Sequence, residues 1–251
     1  MKEIKQFYDK LASSYDNMTS FDKRFKKEDK HFKSIVDKYK ISTALDAGAG
    51  TGFHSLLLAS IGVDVTAVDI SHKMLKQAKK HARDMQLKIR TVQSDFFSIP
   101  KSIDVKFDAI FCLGNSLPHL SPQNLHKTFK IFFRMLHPGG IIVSQILNYN
   151  RILHEEERIQ NVRHSETFTS IRYYDFHKRT FRFNILTIHH PVNRRSTHTF
   201  NSILHYPIYQ ENLSEIVSKS GFIRQQSYGG IDLSGYRADS SQDIVLIAKK
   251  P

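Results

Sequence analysis

The sequence lacks the residue patterns of several kinds of metal and redox site. Cys112 is the single cysteine among 251 residues, so the chain cannot form an internal disulfide or a metal site built from several cysteines. The fourteen histidines are dispersed, and the His-Glu-x-x-His pattern of zinc proteases is absent. We therefore expect no metal, and we interpret Cys112, which lies in an apolar run, as a packing residue.

Long apolar runs are also missing. The longest, such as residues 107–113, fall far short of the roughly 20 residues that span a bilayer. The first ten residues, MKEIKQFYDK, contain no apolar core of a signal peptide. We expect a cytoplasmic protein that has no membrane partner.

Acidic residues are scarce: 24 aspartates and glutamates stand against 37 lysines and arginines, which gives a formal net charge of +13. Such a charge could attract RNA or another polyanion. However, aspartates and glutamates interrupt the lysine-rich segments, and no basic stripe alternates with aromatic residues. We therefore do not expect a nucleic acid as the partner, although the charge keeps RNA as an alternative.

Strands and helices alternate over residues 43–147, which predicts an α/β fold with a doubly wound, mostly parallel sheet. The continuous apolar run FDAIFCLG is typical of a central strand that is covered on both faces. Helices are predicted at residues 53–60, after the cap residue Ser71, and from Ser121 to the HPGG segment, which stops the last of them. Strands are predicted at residues 43–47, 64–69, 88–93, 107–114 and 141–147.

The flanking segments have a different composition. Residues 1–40 are polar and predict a helical amino-terminal cap. Residues 166–206 are rich in threonine, isoleucine, phenylalanine and tyrosine, which predicts two or three antiparallel strands with turns near Lys178 and Asn193. We interpret residues 151–206 as an inserted antiparallel lid. The remaining segments predict one helix and two strands, at residues 211–220, 222–228 and 243–249.

Three glycines follow the first predicted strand in the segment LDAGAGTGFHS, residues 45–55. In an open α/β sheet, ligands bind beyond the carboxyl ends of the strands, and the loop after the first strand is the usual place. The dinucleotide pattern Gly-x-Gly-x-x-Gly would need a glycine where Phe53 stands, and no Gly-Lys-Ser or Gly-Lys-Thr of a phosphate loop follows. The loop therefore predicts a ligand other than a dinucleotide or a nucleoside triphosphate.

The pattern Asp-x-Gly-x-Gly-x-Gly, with Asp69 at the end of the second predicted strand, resembles the cofactor loop of class I S-adenosylmethionine-dependent methyltransferases. The resemblance implies a Rossmann-like class I methyltransferase sheet, mostly parallel with an antiparallel last strand and formed by residues 41–150 and 207–251, with S-adenosylmethionine as the cofactor. It implies that Asp46 lies near the ammonium group, Asp69 on the ribose hydroxyls and Asp95 on the adenine amino group. Each aspartate alone could instead be a turn residue or a helix cap.

The segment CLGNSLPHL, residues 112–120, narrows the family. It lacks the Asn/Asp-Pro-Pro-aromatic run by which nucleic acid N-methyltransferases hold a flipped base. The segment instead resembles that of glycine and sarcosine N-methyltransferases, and so do NYNRIL, HYPIY and the paired-tyrosine segment YDKLASSYD. This resemblance, which follows nearly the whole chain, implies N-methylation of a small amine or an amino-acid-like metabolite.

The resemblance also implies which residues bind the cofactor. Tyr8, Tyr15 and Arg24 would close the amino-terminal segment over it, and Arg24 would bind its carboxylate with a planar charged donor. The glycines would let the backbone approach the ligand closely. The full set of expected cofactor-binding residues is Tyr15, Arg24, Asp46, Gly48, Gly50, Gly52, Asp69, Ile70, Asp95, Phe96 and Leu113.

A second set of residues is expected around the methyl acceptor. Asn115 would face the acceptor amine, and His119 would lie on the cofactor side of the same loop, unless it is a packed or surface histidine. Tyr149, Tyr206 and Tyr236 would supply hydroxyls, unless they are core aromatics. The expected catalytic residues are Asn115, His119, Tyr149 and Tyr206.

One residue departs from the pattern. Glycine methyltransferases carry an arginine directly before the Asn-Tyr pair, where it binds the substrate carboxylate, and this chain has Leu147 there. Leucine cannot bind a carboxylate. Either another cation takes that role, with Arg151, Arg172 and Arg237 as candidates, or the acceptor is not a simple amino acid. We favour the second interpretation, so glycine is not the expected acceptor.

The chemistry narrows the reaction but leaves alternatives. Methyl transfer from a sulfonium is an in-line displacement with a good leaving group, so an amine acceptor needs alignment and exclusion of water more than a strong base. A hydroxyl acceptor would need a base, and His119 or His205 would then be the candidates. The alternatives to a small-molecule N-methyltransferase are thus a small-molecule O-methyltransferase, an RNA methyltransferase and a cofactor-binding module without activity. The sequence leaves monomer and homo-oligomer equally open.

Overall fold

The computed structural model describes residues 1–19, 21–192 and 194–251, and within these ranges the chain forms two sheets and the helices around them. The helices are α1 (Lys2–Leu11), α2 (Tyr15–Thr19), α3 (Phe21–Tyr39), α4 (Phe53–Ser60), α5 (His72–Asp84), α6 (Ile99–Ser102), α7 (Pro122–Met135), α8 (Tyr149–His154) and α9 (Gln210–Lys219). The strands are β1 (Thr43–Ala47), β2 (Asp64–Asp69), β3 (Arg90–Gln93), β4 (Phe107–Cys112), β5 (Leu136–Leu147), β6 (Ile159–His164), β7 (Phe168–Phe176), β8 (Phe181–His189), β9 (Thr197–His205), β10 (Ile223–Tyr228) and β11 (Asp243–Lys249). In the described part of the chain, none of the helices is long and apolar enough to cross a membrane.

The larger sheet has the strand order β10-β11-β5-β4-β1-β2-β3. Strands β1 to β5 are parallel, β11 is antiparallel to β5, and β10 is antiparallel to β11. The chain runs outward from β1 to β3 and then crosses back to β4 on the other side of β1. The strand order therefore reverses between β1 and β4, where open α/β sheets bind their ligands. The expected mostly parallel α/β sheet with an antiparallel last strand is confirmed.

Helices cover both faces of this sheet because its strands are apolar on both faces. Phe129 of α7 and Leu213 of α9 pack on one face. Phe32 of α3 and Leu57 of α4 pack on the other. The central strand β4 is buried over nearly its whole length, and Cys112 at its end has no exposed surface. The expected packing position of Cys112 is thus confirmed.

Strand β5 differs from the expectation. It begins at Leu136, directly after α7, and not at residue 141, so the HPGG segment is strand and not turn. A residue far along the chain explains this, because the backbone N–H of Lys250 donates to the Gly140 carbonyl at 2.8 Å. The Lys250 ammonium also donates to the carbonyls of Phe133 and Leu136, both at 2.8 Å. It thereby satisfies acceptors that the end of α7 leaves open.

Other boundaries shift less. Strand β3 begins two residues later than expected, β4 ends two residues earlier, and the short helix α8 was not expected. The serine caps are confirmed: Ser71 accepts a hydrogen bond from the Met74 N–H at 3.1 Å, and Ser121 accepts one from the Asn124 N–H at 3.4 Å. These caps define the starts of α5 and α7.

The smaller sheet is antiparallel, with the order β6-β7-β8-β9. The two or three antiparallel strands expected in residues 166–206 are confirmed as β7, β8 and β9. The fourth strand, β6, lies before that segment and was not expected; it is an edge strand whose apolar residues Ile159 and Val162 are exposed. The expected turn near Lys178 is present, since the His177 N–H donates to the Thr180 carbonyl at 2.9 Å. The turn expected at Asn193 lies outside the described residues.

The amino-terminal segment packs between the two sheets. Phe7 and Leu11 of α1 share one apolar cluster with Met74 of α5 and with Ile185 and Ile203 of the smaller sheet. The smaller sheet is thereby held over the carboxyl ends of the parallel strands, where the candidate site lies.

Candidate active site

The glycine loop after β1 is bonded to the end of β2. Gly48, Gly50 and Gly52 have the left-handed φ angles +83°, +56° and +88°, which side chains other than glycine adopt at a cost. The N–H groups of Gly48 and Ala49 donate to the Val68 carbonyl at 2.8 and 2.9 Å. The backbone thus turns sharply and leaves space above the loop.

The three glycines do not serve the same purpose. A Cβ atom on Gly50 would meet nothing within 4 Å, whereas one on Gly52 would lie 2.8 Å from the Cβ atom of Ala78 in α5. Gly48 and Gly50 line a cavity, and Gly52 does not. Gly52 is therefore explained by the close approach of α4 to α5, not by contact with a ligand.

This first cavity has about 880 Å³ of empty volume, counting space that opens to solvent. The loops after β1, β2, β3 and β4 form its floor, and α1 to α3 close it from above. The expected cofactor-binding residues that line it are Tyr15, Arg24, Gly48, Gly50, Asp69, Ile70, Asp95, Phe96 and Leu113, together with Tyr8 and His119. Asp46 and Gly52 do not line it.

Asp69 ends β2 with both carboxylate oxygens engaged. Oδ2 accepts the Gly50 N–H at 2.9 Å, and Oδ1 accepts the Ser71 N–H at 2.7 Å. Burial raises the pKa of this carboxyl to about 6. Asp95 likewise accepts the Phe97 and Ser98 N–H groups, both at 2.9 Å. Both aspartates therefore fix their turns and also line the cavity, so the two readings of these residues are compatible.

Asp46 lies beneath the loop. Its Oδ2 accepts the Ser55 hydroxyl at 2.5 Å, and its Oδ1 has no hydrogen-bond partner within the described ranges. Burial, opposed by the Ser55 hydrogen bond and aided by the charge of Asp69, raises the pKa of Asp46 to about 7. At neutral pH this carboxyl is therefore partly protonated.

The raised pKa of Asp46 predicts a pH-dependent stability. Between about pH 4 and pH 7 the folded chain holds a proton that the unfolded chain has released, so the free energy of unfolding falls as pH rises. Asp46→Asn removes this effect and keeps an acceptor for Ser55. We expect the variant to match the parent near pH 4 and to exceed it at pH 8 by on the order of 2 kcal/mol in urea unfolding.

Asp108 serves as a control because its pKa is shifted in the opposite direction. Although burial raises its pKa, the N–H groups of Thr43 and Ser42 and the Thr43 hydroxyl lower it overall. Asp108→Asn should therefore lose stability at pH 8. Equal pH profiles for the parent and Asp46→Asn would contradict the assignment of Asp46.

A second cavity adjoins the first and has about 1,380 Å³ of empty volume. It lies between the end of β5, the amino-terminal helices and the smaller sheet. The residues that line both cavities are Tyr8, Tyr15, Thr19, Arg24 and Gly114. The remaining lining includes Asn115, Gln145, Leu147, Arg151, Arg172, Tyr174, Phe183, Ile185, His205 and Asp243.

The expected acceptor residues are brought together only in part. Asn115 and His205 line the second cavity, while His119 lines the first. Three tyrosines do not line either. Tyr149 is fully buried, the Tyr206 N–H donates to the Pro118 carbonyl at 2.7 Å, and the Tyr236 hydroxyl donates to Asn148 at 3.4 Å.

Asn115 links the loop after β4 to the end of β5. Its backbone is left-handed, with φ +62°. Its Oδ1 accepts the Leu147 N–H at 3.0 Å, and its Nδ2 donates to the Tyr149 hydroxyl at 3.1 Å. Much of its hydrogen-bonding capacity is therefore used to hold the cavity wall, with Tyr149 as the buried support.

The half-buried His119 and the buried His205 lie where the cavities meet. His119 Nε2 is 2.7 Å from the Tyr8 hydroxyl, and the rings of His119 and His205 are 4.4 Å apart between centroids. Burial lowers the pKa of His119 to about 4, and burial together with the neighbouring His119 lowers that of His205. Both rings are therefore uncharged at neutral pH. Neither ring nitrogen of His205 has a hydrogen-bond partner in the described residues.

Of the wall formed by the smaller sheet, the sequence predicted Arg172 and His205 but not Tyr174, Phe183 and Ile185. Arg172 and Tyr174 lie on one face of β7. On the neighbouring strand β8, Ile185 is paired with Arg172 and Phe183 with Tyr174. This period of two was the available signal, because residues two apart in a strand share a face. Which face turns inward depends on how the sheet docks.

Comparison with known proteins agrees with this geometry. A model of the methyltransferase domain matches residues 44–140. The glycine/sarcosine N-methyltransferase of Halorhodospira halochloris is 28% identical over 98% of this chain and 89% of its own length, and that of Aphanothece halophytica is 27% identical over 98% and 90%. An S-adenosylmethionine-dependent methyltransferase from Clostridium acetobutylicum ATCC 824 superposes with a TM-score of 0.82 at 19% identity, over 97% of this chain and 98% of its own. The chain is an S-adenosylmethionine-dependent methyltransferase.

S-adenosylmethionine is the cofactor of this methyltransferase, and the first cavity fits such a ligand. The space above Gly50 is open, so the backbone is accessible. Ile70, Phe96 and Leu113 supply an apolar wall, which suits the faces of a nucleoside base. Arg24 is the charged donor at the other end, where it pairs with Glu28 at 2.8 Å and lies 4.2 Å over the Phe53 ring.

Proposed function

We propose that this methyltransferase transfers a methyl group to the nitrogen of a small, amino-acid-like amine. The observation that carries the proposal is the second cavity, which shares Tyr8, Tyr15 and Gly114 with the first. A small molecule in the second cavity therefore lies next to the cofactor cavity. The full-length similarity to glycine/sarcosine N-methyltransferases supports nitrogen as the acceptor atom.

The proposal assigns cofactor contacts to residues of the first cavity. Asp69 has lone pairs left on both oxygens after it accepts the Gly50 and Ser71 N–H groups, and these suit the ribose hydroxyls. The hydrogen bonds of the Asp95 carboxylate within the described residues use Oδ1, so Oδ2 suits the adenine amino group. The unpartnered Oδ1 of Asp46 suits an ammonium group reached past the loop, directly or through water.

When bound, the cofactor supplies an electrophilic methyl group. The chain's own residues align the acceptor amine and exclude water from the cavity. The smaller sheet acts as the lid of the second cavity, with Phe183 and Ile185 on its inner face. Asn115 fixes the wall beside the acceptor through Leu147 and Tyr149. Exclusion of water and alignment of a neutral amine are the contributions that such a displacement needs.

The other candidate reactions receive less support from the site. A hydroxyl acceptor needs a base near its working pH, and the pKa of His119 at about 4 makes that imidazole a weak one. An RNA acceptor needs an open approach for a chain, whereas the second cavity lies beneath the lid and between α1 and β5. We therefore retain amine methylation as the proposed activity.

Label transfer tests the proposal. Purified protein is incubated with methyl-labelled S-adenosylmethionine and a metabolite extract, and products are separated by mass spectrometry. We expect one small amine to gain the labelled methyl group, and we expect no label in total RNA added as a parallel arm. Label in RNA alone, or only on oxygen of small molecules, would overturn the proposal.

A further inference from the structure

Three arginines line the second cavity, and two of them are neutralised. Arg24 pairs with Glu28 at 2.8 Å. Arg151 pairs with Glu155 and with Glu157, and it also donates to Gln242 at 3.1 Å. Both guanidinium groups already have a carboxylate partner, and Arg24 also lines the cofactor cavity, where it is the charged donor.

Arg172 differs from both. Among the described residues, no ion pair or hydrogen bond of its guanidinium group is present. Burial lowers the pKa of Arg172, and the positive charges of Arg163 and Arg24 lower it further, against the opposing effect of Tyr15 and Tyr174. An arginine stays charged even so. The cavity therefore contains a partly buried cation without a counter-ion, which is costly unless an anion joins it.

The surroundings of Arg172 suit a ligand's carboxylate. Tyr174 lies two residues along on the same face of β7 and also lines the cavity, and its hydroxyl has no hydrogen-bond partner within the described ranges. The remaining candidate cation, Arg237, is exposed and lines neither cavity. Of the three described acids that line this cavity, Glu28 and Glu157 are paired with the other arginines, and Asp243 accepts a hydrogen bond from the Gln145 amide at 2.8 Å.

We propose that Arg172 binds the carboxylate of the methyl acceptor, with its anion site on the lid strand β7 instead of at position 147 at the end of β5. This inference rests on the proposed function. The planar guanidinium group can hold a carboxylate through two parallel hydrogen bonds, and Tyr174 can add a third. The acceptor is then an amino acid whose carboxylate binds to Arg172 and Tyr174 of the lid. Leu147 contributes an apolar part of the cavity wall. With Arg172 in this role, an amino acid can be the methyl acceptor although position 147 has no arginine.

The test compares acids with their uncharged counterparts. Glycine, alanine and leucine, each paired with its carboxamide, are assayed with labelled cofactor against the parent, Arg172→Leu, Arg172→Lys and the control Arg182→Leu. Arg182 is exposed and lies on the same sheet, with its side chain on the opposite face from Phe181 and Phe183. Thermal melts establish that each variant is folded.

We expect the parent to prefer at least one amino acid over its amide. Arg172→Leu should lower kcat/KM for that acid by about 30- to 100-fold, mainly through KM, and change the amide by less than about threefold. Arg172→Lys should be intermediate because it keeps the charge and loses the planar fork. Arg182→Leu should match the parent. Calorimetric binding of the same acid to protein saturated with S-adenosylhomocysteine should weaken in parallel.

The outcomes separate the two proposals. If acids and amides are accepted alike, or if Arg172→Leu weakens both by the same factor, the assignment of Arg172 is wrong and amine methylation stands. If no amine of any kind accepts label while RNA or a hydroxyl compound does, the proposed function fails and the assignment fails with it. Loss of acid binding alone supports both.

Discussion

Asp69→Ala is expected to lower the affinity for S-adenosylmethionine by about 100-fold or more, to the point where titration calorimetry detects no binding. In the proposed cofactor site, the variant removes two charge-assisted acceptors for the ribose hydroxyls, each worth roughly 1.5 to 3 kcal/mol. It also releases the Gly50 N–H, which Asp69 holds at 2.9 Å. The cofactor would then lose both a direct partner and the fixed loop beside it.

Asp64→Ala is the matched control, since Asp64 is the exposed residue at the other end of the same strand. It should bind the cofactor like the parent. Unchanged affinity in folded Asp69→Ala would show that the sugar is bound elsewhere, and the cofactor assignments along β1 and β2 would have to be withdrawn.

Gly52→Ala is expected to lower the free energy of unfolding by about 2 to 5 kcal/mol. The left-handed backbone costs a side chain roughly 1 to 2 kcal/mol, and a methyl group 2.8 Å from the Cβ atom of Ala78 adds about 1 to 3 kcal/mol of overpacking. For a chain of this size the melting temperature should fall by about 4 to 20 °C.

Comparison with Gly50→Ala separates the cost of a left-handed backbone from the cost of overpacking. Its φ of +56° imposes a comparable backbone penalty, but its Cβ atom would meet nothing. We expect a loss of only about 1 to 2 kcal/mol in stability, with weaker cofactor binding because the new methyl group points into the first cavity. Equal losses of stability in the two variants would contradict the packing role of Gly52.

The local pattern was sufficient for several elements. The bounds of β1, α4, β2 and β11 agree with the residue pattern, because each is a short apolar segment between clear turn residues. The start of β5 could not be obtained in this way, since it depends on Lys250, more than 100 residues away. Edge strand β6 could not either, because its polar, exposed sequence carries no burial signal.

The same division applies to the site. The cofactor cavity follows from one topological rule, which brings the residues after β1, β2 and β3 to the same edge of the sheet. The acceptor cavity depends on how the smaller sheet docks, and no local pattern reports that. Thus Tyr149 and Tyr206, expected as hydroxyl donors, do not line it, whereas Tyr174, which was not expected, does.

Helices α1 and α2 form a wall that the first and second cavities share. Tyr8 and Tyr15 face both sides, so an occupant that orders these rings from one side also shapes the surface offered to the other occupant. The binding free energies of the two ligands are therefore coupled. If the second cavity holds the proposed amine, any factor by which the cofactor raises the affinity for the amine equals the factor by which the amine raises the affinity for the cofactor.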